Sequence, residues 1–142
     1  MAVAPKAAYG TALKIGDAGS PTETFTEILG ARDIQGPTYD MEMIDITNHG
    51  GSTNYREWVP SFLSAGEVTA TILYDSADTQ HALLFTNFAA RTLTNWQLVL
   101  TDTGAEQHAF SGYIKSLGVG APLDDAVTLA LTVMITGAVT RT

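Results

Sequence analysis

The sequence predicts a mainly β protein, a sandwich or barrel of about six to eight antiparallel strands with one packed α-helix. Three observations carry that prediction. Val127, Leu129, Leu131, Val133 and Ile135 alternate with Thr128, Ala130, Thr132, Met134 and Thr136, the period of a strand with one face in a core. Threonine, which suits pleated surfaces, occurs twenty times. A single segment, 78–91, shows helical spacing, with His81, Leu84, Phe85 and Phe88 at i, i+3, i+4 and i+7.

The elements follow in order. At 142 residues the chain reads as one domain, 1–142, with a core of its own. Residues 1–23 lack a sustained period and read as an extended N-terminal arm or loop, with turn chemistry from Gly16 to Pro21. Thr24 to Asp33 holds one or two short strands interrupted by Gly30, and Gly36-Pro37 ends them. Thr38 to Thr47 is a strand. Tyr39, Met41 and Met43 share the face expected to enter the core, with Asp40 and Glu42 opposite. The switch to Ile44 and Ile46 implies a bulge. Glu67 to Asp75 is a second strand, with Val68, Ala70, Ile72 and Tyr74 in phase, expected to pair with the first.

Asp75-Ser-Ala-Asp78 supplies N-cap candidates for the helix. Its Leu84, Phe85 and Phe88 are expected to pack on the sandwich. Thr94 to Thr101 returns to strand through Trp96, Leu98 and Leu100. Asp102-Thr-Gly104 turns the chain, and Gln107 to Val119 follows with Phe110, Gly112 and Ile114 in phase. Pro122 to Asp125 turns again before the last strand, Ala126 to Thr136.

Between the strands at 38–47 and 67–75 lies Asn48–Phe62, rich in Gly, Ser and Asn, where a hairpin needs only about two to five residues. It carries Tyr55, Arg56 and Trp58, residue types enriched at protein–protein contacts. That is a loop built to grip another protein.

Composition narrows the function classes. Fifteen acidic against seven basic residues give a net charge of −8, which argues against wrapping nucleic acid, since affinity for phosphate comes from Lys and Arg. There is no cysteine, hence no disulfide and no thiolate metal site. The first residues lack the apolar run of a signal peptide. No apolar run approaches the roughly 18–20 residues that span a bilayer, so the reading is a soluble, non-secreted chain.

Chemistry is sparse. His49, His81 and His108 have no metal-ligand spacing. Asp17-Ala-Gly19 and Asp75-Ser-Ala-Asp78 lack the alternating oxygens of a calcium loop and read as turn and cap. There is no nucleophile elbow, phosphate loop or dinucleotide fingerprint. Asp40 and Glu42 share a strand face but read as a solvated one. The expectation is a non-enzyme with no catalytic residue, no metal and no cofactor.

The order of parts resembles a known family. Gly10-Thr-Ala-Leu-Lys-Ile-Gly-Asp17 leads to Phe25-Thr-Glu-Ile, Gly36-Pro37 and the acidic strand ending Ile46-Thr-Asn-His. Then come Arg56-Glu-Trp-Val-Pro-Ser-Phe-Leu-Ser-Ala-Gly66-Glu-Val, Tyr74-Asp, the helix, Phe110-Ser-Gly-Tyr-Ile and Ile135-Thr-Gly137. Over 10–140 this resembles the tail tube protein, or major tail protein, of long-tailed, non-contractile, lambda-like bacteriophages. The resemblance implies a β-sandwich with one helix, six copies per ring, and rings stacked into a hollow tube through which DNA is ejected. It implies that Asn48–Phe62 contacts the adjacent ring, through Tyr55, Arg56, Glu57 and Trp58. Asp40 and Glu42 are then candidates to line the lumen, where negative charge keeps DNA from sticking. The implied partners are further copies of the chain and the tape measure, tail tip and terminator proteins. DNA passes without specific binding, and no membrane is involved. The implied location is the virion tail, after assembly in the host cytoplasm. The alternative is a β-sandwich binding module that uses the aromatic loop for a carbohydrate or peptide.

Overall fold

The computed structural model of the chain describes residues 10–17, 22–51, 54–101 and 106–142. Most of the expected N-terminal arm, the turn after Asp17 and the Asp102-Thr-Gly104 turn fall outside those residues. Among the described residues nine strands and one helix follow in the order β1 (Ala12–Gly16), β2 (Phe25–Glu27), β3 (Ala31–Gln35), β4 (Asp40–Asp45), β5 (Trp58–Ser64), β6 (Glu67–Leu73), α1 (Thr79–Ala90), β7 (Thr94–Val99), β8 (Gln107–Gly120) and β9 (Thr128–Arg141).

Seven strands form one antiparallel sheet in the order β2-β1-β7-β8-β9-β6-β3, while β4 and β5 form a separate two-stranded ribbon. β2 and β3 are opposite ends of that sheet, yet only Ile28, Leu29 and Gly30 separate them in sequence. The sheet must therefore curl until its ends approach. The Ile28 N–H donates to the Leu13 carbonyl at 2.9 Å on one side, and the Leu73 N–H donates to the Gly30 carbonyl at 2.8 Å on the other. Curling turns one face inward, and that face is the core: Leu13 and Ile15 of β1, Val68, Ala70 and Ile72 of β6, Trp96 of β7, Phe110 and Ile114 of β8, and Leu129, Leu131 and Val133 of β9. Each fully buried side chain of this size stabilises by about 1.5–3 kcal/mol.

β8 and β9 run fourteen residues each, and their register shifts between Ala109 and Ser111 and between Ile114 and Ser116. Such bulges bend a long strand. Gly112 lies beside the Trp96 indole; a Cβ there would meet the Met134 carbonyl oxygen at 2.6 Å, so only glycine fits this close approach.

Helix α1 starts because Asp78 caps it: its carboxylate accepts from the Gln80 and His81 N–H groups at 2.9 and 3.3 Å. It ends at Arg91, in the left-handed conformation at φ 57°. His81 and Leu84 are buried beneath it. The His81 Nε2–H donates to the Leu29 carbonyl at 2.7 Å and Nδ1 accepts from the Asp75 N–H at 3.0 Å, tying the helix to the β2–β3 link. Phe85 packs against the core and sits 5.8 Å, centroid to centroid, from Tyr74.

The structure corrects five sequence expectations. Residues 12–16, read as arm, form a strand within the sheet; Leu13 and Ile15 are buried. Its five residues, the last of them Gly16, are too few for a period, and become a strand because β7 and β2 flank them. Phe88 is 46 % exposed, so it does not pack with Leu84 and Phe85. It shares their face but lies about 10 Å farther along the axis than His81, where the chain turns out through Arg91. Trp58 to Phe62, the end of the expected loop, belongs to β5. The strand at Glu67 pairs with β3 and β9, not with β4. Finally, Tyr39, Met41 and Met43 do not enter the core: all six residues of β4 are exposed.

Candidate assembly surface

The last two corrections define the site. β4 and β5 pair antiparallel, Asp40 with Ser64, Met41 with Leu63, Met43 with Pro60, Ile44 with Val59 and Asp45 with Trp58. Between Met41 and Met43 two residues, Ser61 and Phe62, oppose Glu42 alone. The extra residue lies in β5; through Met43, Ile44 and Asp45 the pairing is continuous, so the change of phase expected as a bulge in β4 is plain alternation that puts Met43 and Ile44 on opposite faces. Pro60 hid β5 from sequence analysis, because proline cannot donate to a ladder. In a two-stranded ribbon each strand has a free edge, so a proline costs little.

One face of the ribbon carries Met41, Met43, Leu63, Pro60 and Trp58, the other Ile44, Ile46 and Val59 together with Asp40 and Glu42. Phe62 is 80 % exposed, Leu63 74 % and Trp58 50 %. Apolar groups clustered this way on a free surface mark a site of interaction. Tyr55, at the ribbon's end, is 82 % exposed.

Local polar contacts shape that end. The Asp45 carboxylate accepts from the Thr47 N–H at 2.8 Å and from the Arg56 guanidinium at 2.7 Å. The hydrogen bonds from Thr47 come first in holding this carboxyl below its ordinary value, with Arg56 adding to them. The Thr47 hydroxyl accepts from the Glu57 N–H at 2.9 Å, and the Asn48 side chain accepts from the Gly50 N–H at 2.9 Å. Such side-chain-to-backbone bonds order a turn without burial. Of the residues expected to contact a neighbour, Arg56, Glu57 and Trp58 therefore sit together where the turn enters β5. Asp40 and Glu42 stand at the far end of β4, on the face with Ile44.

The ribbon leaves the sheet through two short connectors, 36–39 and 65–66. The Thr38 N–H donates to the Ala65 carbonyl at 3.0 Å, and Gly36 and Gly66 take φ +100° and +69°. A Cβ on Gly36 would collide with the Glu67 carbonyl oxygen. At this root the Tyr39 hydroxyl lies 2.6 Å from His108 Nδ1, a contact 69 residues apart in sequence. The sequence carries no sign of it, because nothing local connects an exposed tyrosine to a histidine at the start of a distant strand. Burial pushes the Tyr39 phenol above its ordinary value, against the lowering pull of Arg141.

Among the described residues no group of three or more His, Asp or Glu is placed to hold a metal ion, and no helix is long and apolar enough to cross a membrane.

No protein-family pattern matches the sequence, and no curated protein does. Solved structures do match. The chain is similar to a subunit of the tail of an empty gene transfer agent particle, refined with helical C6 symmetry, at TM-score 0.80 and 19 % identity over 97 % of this chain and 99 % of that one. It is similar to a subunit of the extended sheath–tube complex of an extracellular contractile injection system, at TM-score 0.72 and 15 % identity over 97 % and 91 %. It is also similar to the SPP1 tail tube, at TM-score 0.69 and 10 % identity over 92 % and 75 %. These likenesses show that the fold of this chain is shared with chains solved in tail and tube structures.

Proposed function

We propose that this chain is a structural subunit of a phage-type tail tube, assembling with copies of itself into stacked rings around a channel for DNA. The observation that carries the proposal is the β4–β5 ribbon, apolar and exposed on both faces, in a protein whose other described strands all join one curled sheet. A ribbon with two free edges is prone to pair with further strands, and a closed ring uses such edges without leaving any over. The tail architectures in which the similar structures were solved supply the assembly. The sixfold symmetry of the gene transfer agent tail suggests six copies per ring.

In this reading Tyr55, Arg56, Glu57 and Trp58 contact the adjacent ring, and Asp40 and Glu42 face the channel. Carboxylates there repel phosphate at close range, screened beyond about 8–10 Å at physiological salt. Further partners are the tape measure, tip and terminator proteins of the same tail, and the location is the virion. The long-tailed, non-contractile type remains the finer proposal, since similar structures include contractile systems. Electron microscopy of the concentrated, purified protein tests the assignment: tubes or ring stacks are expected. A persistent monomer that melts higher with a carbohydrate or peptide ligand would support the binding module instead. Within a tube, Asp40→Lys with Glu42→Lys is expected to assemble but retain DNA at low salt, and normal release would remove both from the lumen.

A further inference from the structure

The exposed ribbon raises a physical question: what sets the angle at which it leaves the sheet? Its two strands pack mainly on each other, and the polar contacts of its far end, Asp45 with Arg56 and Thr47 with Glu57, lie within the ribbon itself. Both connectors turn at glycines. Backbone bonds hold the root itself, from the Thr38 N–H to the Ala65 carbonyl at 3.0 Å and from the Ile135 N–H to the Gly66 carbonyl at 3.1 Å; the direction of the strands beyond it is left to side chains.

Tyr39 is placed to set that direction. It immediately precedes β4, and its hydroxyl reaches His108 Nδ1 at 2.6 Å, with the rings 5.9 Å apart and tilted. The His108 side chain is only 12 % exposed. Its other nitrogen faces Glu106 Oε1 at 3.6 Å, and the same carboxylate oxygen accepts from Arg141 Nε at 2.6 Å. With Nε2–H toward the carboxylate, Nδ1 is the acceptor and the Tyr39 O–H the donor. The receiving end is firm, because Gln107 and Thr142 exchange two backbone hydrogen bonds of 2.9 Å beside it. Opposite, a cleft of about 320 Å³ lies between Leu63-Ser64-Ala65 and Gly137-Ala138-Val139, with Tyr39 in its wall. β6 pairs with β9 only as far as Met134, so this cleft separates the ribbon from the stretch of β9 that β6 leaves uncovered.

We infer that the Tyr39–His108 contact, braced by Glu106 and Arg141, is a latch that fixes the ribbon's angle and holds this cleft open, making Tyr39 and His108 positioning residues for assembly. The inference rests on the tube reading for its consequence, though not for its geometry. Pre-setting the ribbon spares the ordering cost of binding.

The test uses the full chain. It contains no cysteine, so spin labels on Ile46→Cys and Tyr113→Cys, both exposed, report the ribbon-to-sheet distance in the monomer. Tyr39→Phe and His108→Gln are each expected to broaden that distance distribution while leaving the melting temperature within a degree or so. Each should also raise the critical concentration for tube growth roughly 2- to 10-fold, the equilibrium worth of one net hydrogen bond. The double variant should be no worse than either single. An unchanged distribution in both variants overturns the latch. So does a raised critical concentration without broadening, which would make Tyr39 a direct contact, or a collapsed thermal transition in both, which would make the network part of the core. If the parent protein forms no tubes while the distribution still broadens, the tube reading fails and the latch stands.

Discussion

β9 and β4 are both strands with alternating apolar residues, and they end in opposite conditions. Leu129, Leu131 and Val133 of β9 are buried, whereas no residue of β4 is. The difference lies in what surrounds them. β9 has β8 along one side, β6 along the first half of the other, and a sheet that curls over its inner face. β4 has β5 alone. Two-stranded ribbons are marginal in water, and this one is held by turn hydrogen bonds at one end and a glycine-hinged root at the other. Alternation therefore reports that a face is meant to be covered, without saying by what.

That contrast sets the expected effects of substitution on the monomer. Trp96→Ala removes the largest buried side chain of the sheet and should cost about 3–5 kcal/mol in urea unfolding; a loss under about 1 kcal/mol would mean that the inward face is not the core. Gly36→Ala acts at the boundary between sheet and ribbon. Its positive φ and the collision with the Glu67 carbonyl should cost about 1–3 kcal/mol, and a neutral result would show a root that yields freely. Phe88→Ala should lower stability by about 1 kcal/mol, in keeping with its half exposure. A loss of about 3–5 kcal/mol would restore the fully packed stripe that helical spacing implies.

Within the ribbon the order of effects inverts. Trp58→Ala should leave thermal unfolding within about 1 kcal/mol of the parent and abolish tube growth seen by microscopy. Unfolding of the monomer would instead place Trp58 in the core. Acid should produce the smallest change. Asp45 has a lowered pKa, so its contribution is present above the ordinary carboxylate range and fades as pH falls through the depressed value. The Thr47 amide resonance should follow that titration while the amides of β9 stay fixed, and a midpoint at the ordinary carboxylate value would remove the Thr47 and Arg56 contacts as its cause.

Much of the sheet was legible in the chain. The inner residues of β6, β7, β8 and β9 follow from period alone, because each strand buries one face and alternation reads directly as in and out. The start of α1 was equally plain, since Asp78 meets its own backbone two and three residues on. These are local facts, determined by neighbouring residues. Tertiary structure decided the rest. β1 became a strand because two others flank it; β5 became one despite Pro60 because a ribbon tolerates a missing donor. Phe88 lost its cover through position along the axis, which angular spacing does not encode. Met41 and Met43 stayed outside because no second layer among the described residues reaches β4, and Tyr39 found His108 only when folding brought positions 69 apart into contact. Sequence determined which faces are apolar; the three-dimensional arrangement determined which of them the chain covers itself, because coverage depends on partners distant in sequence.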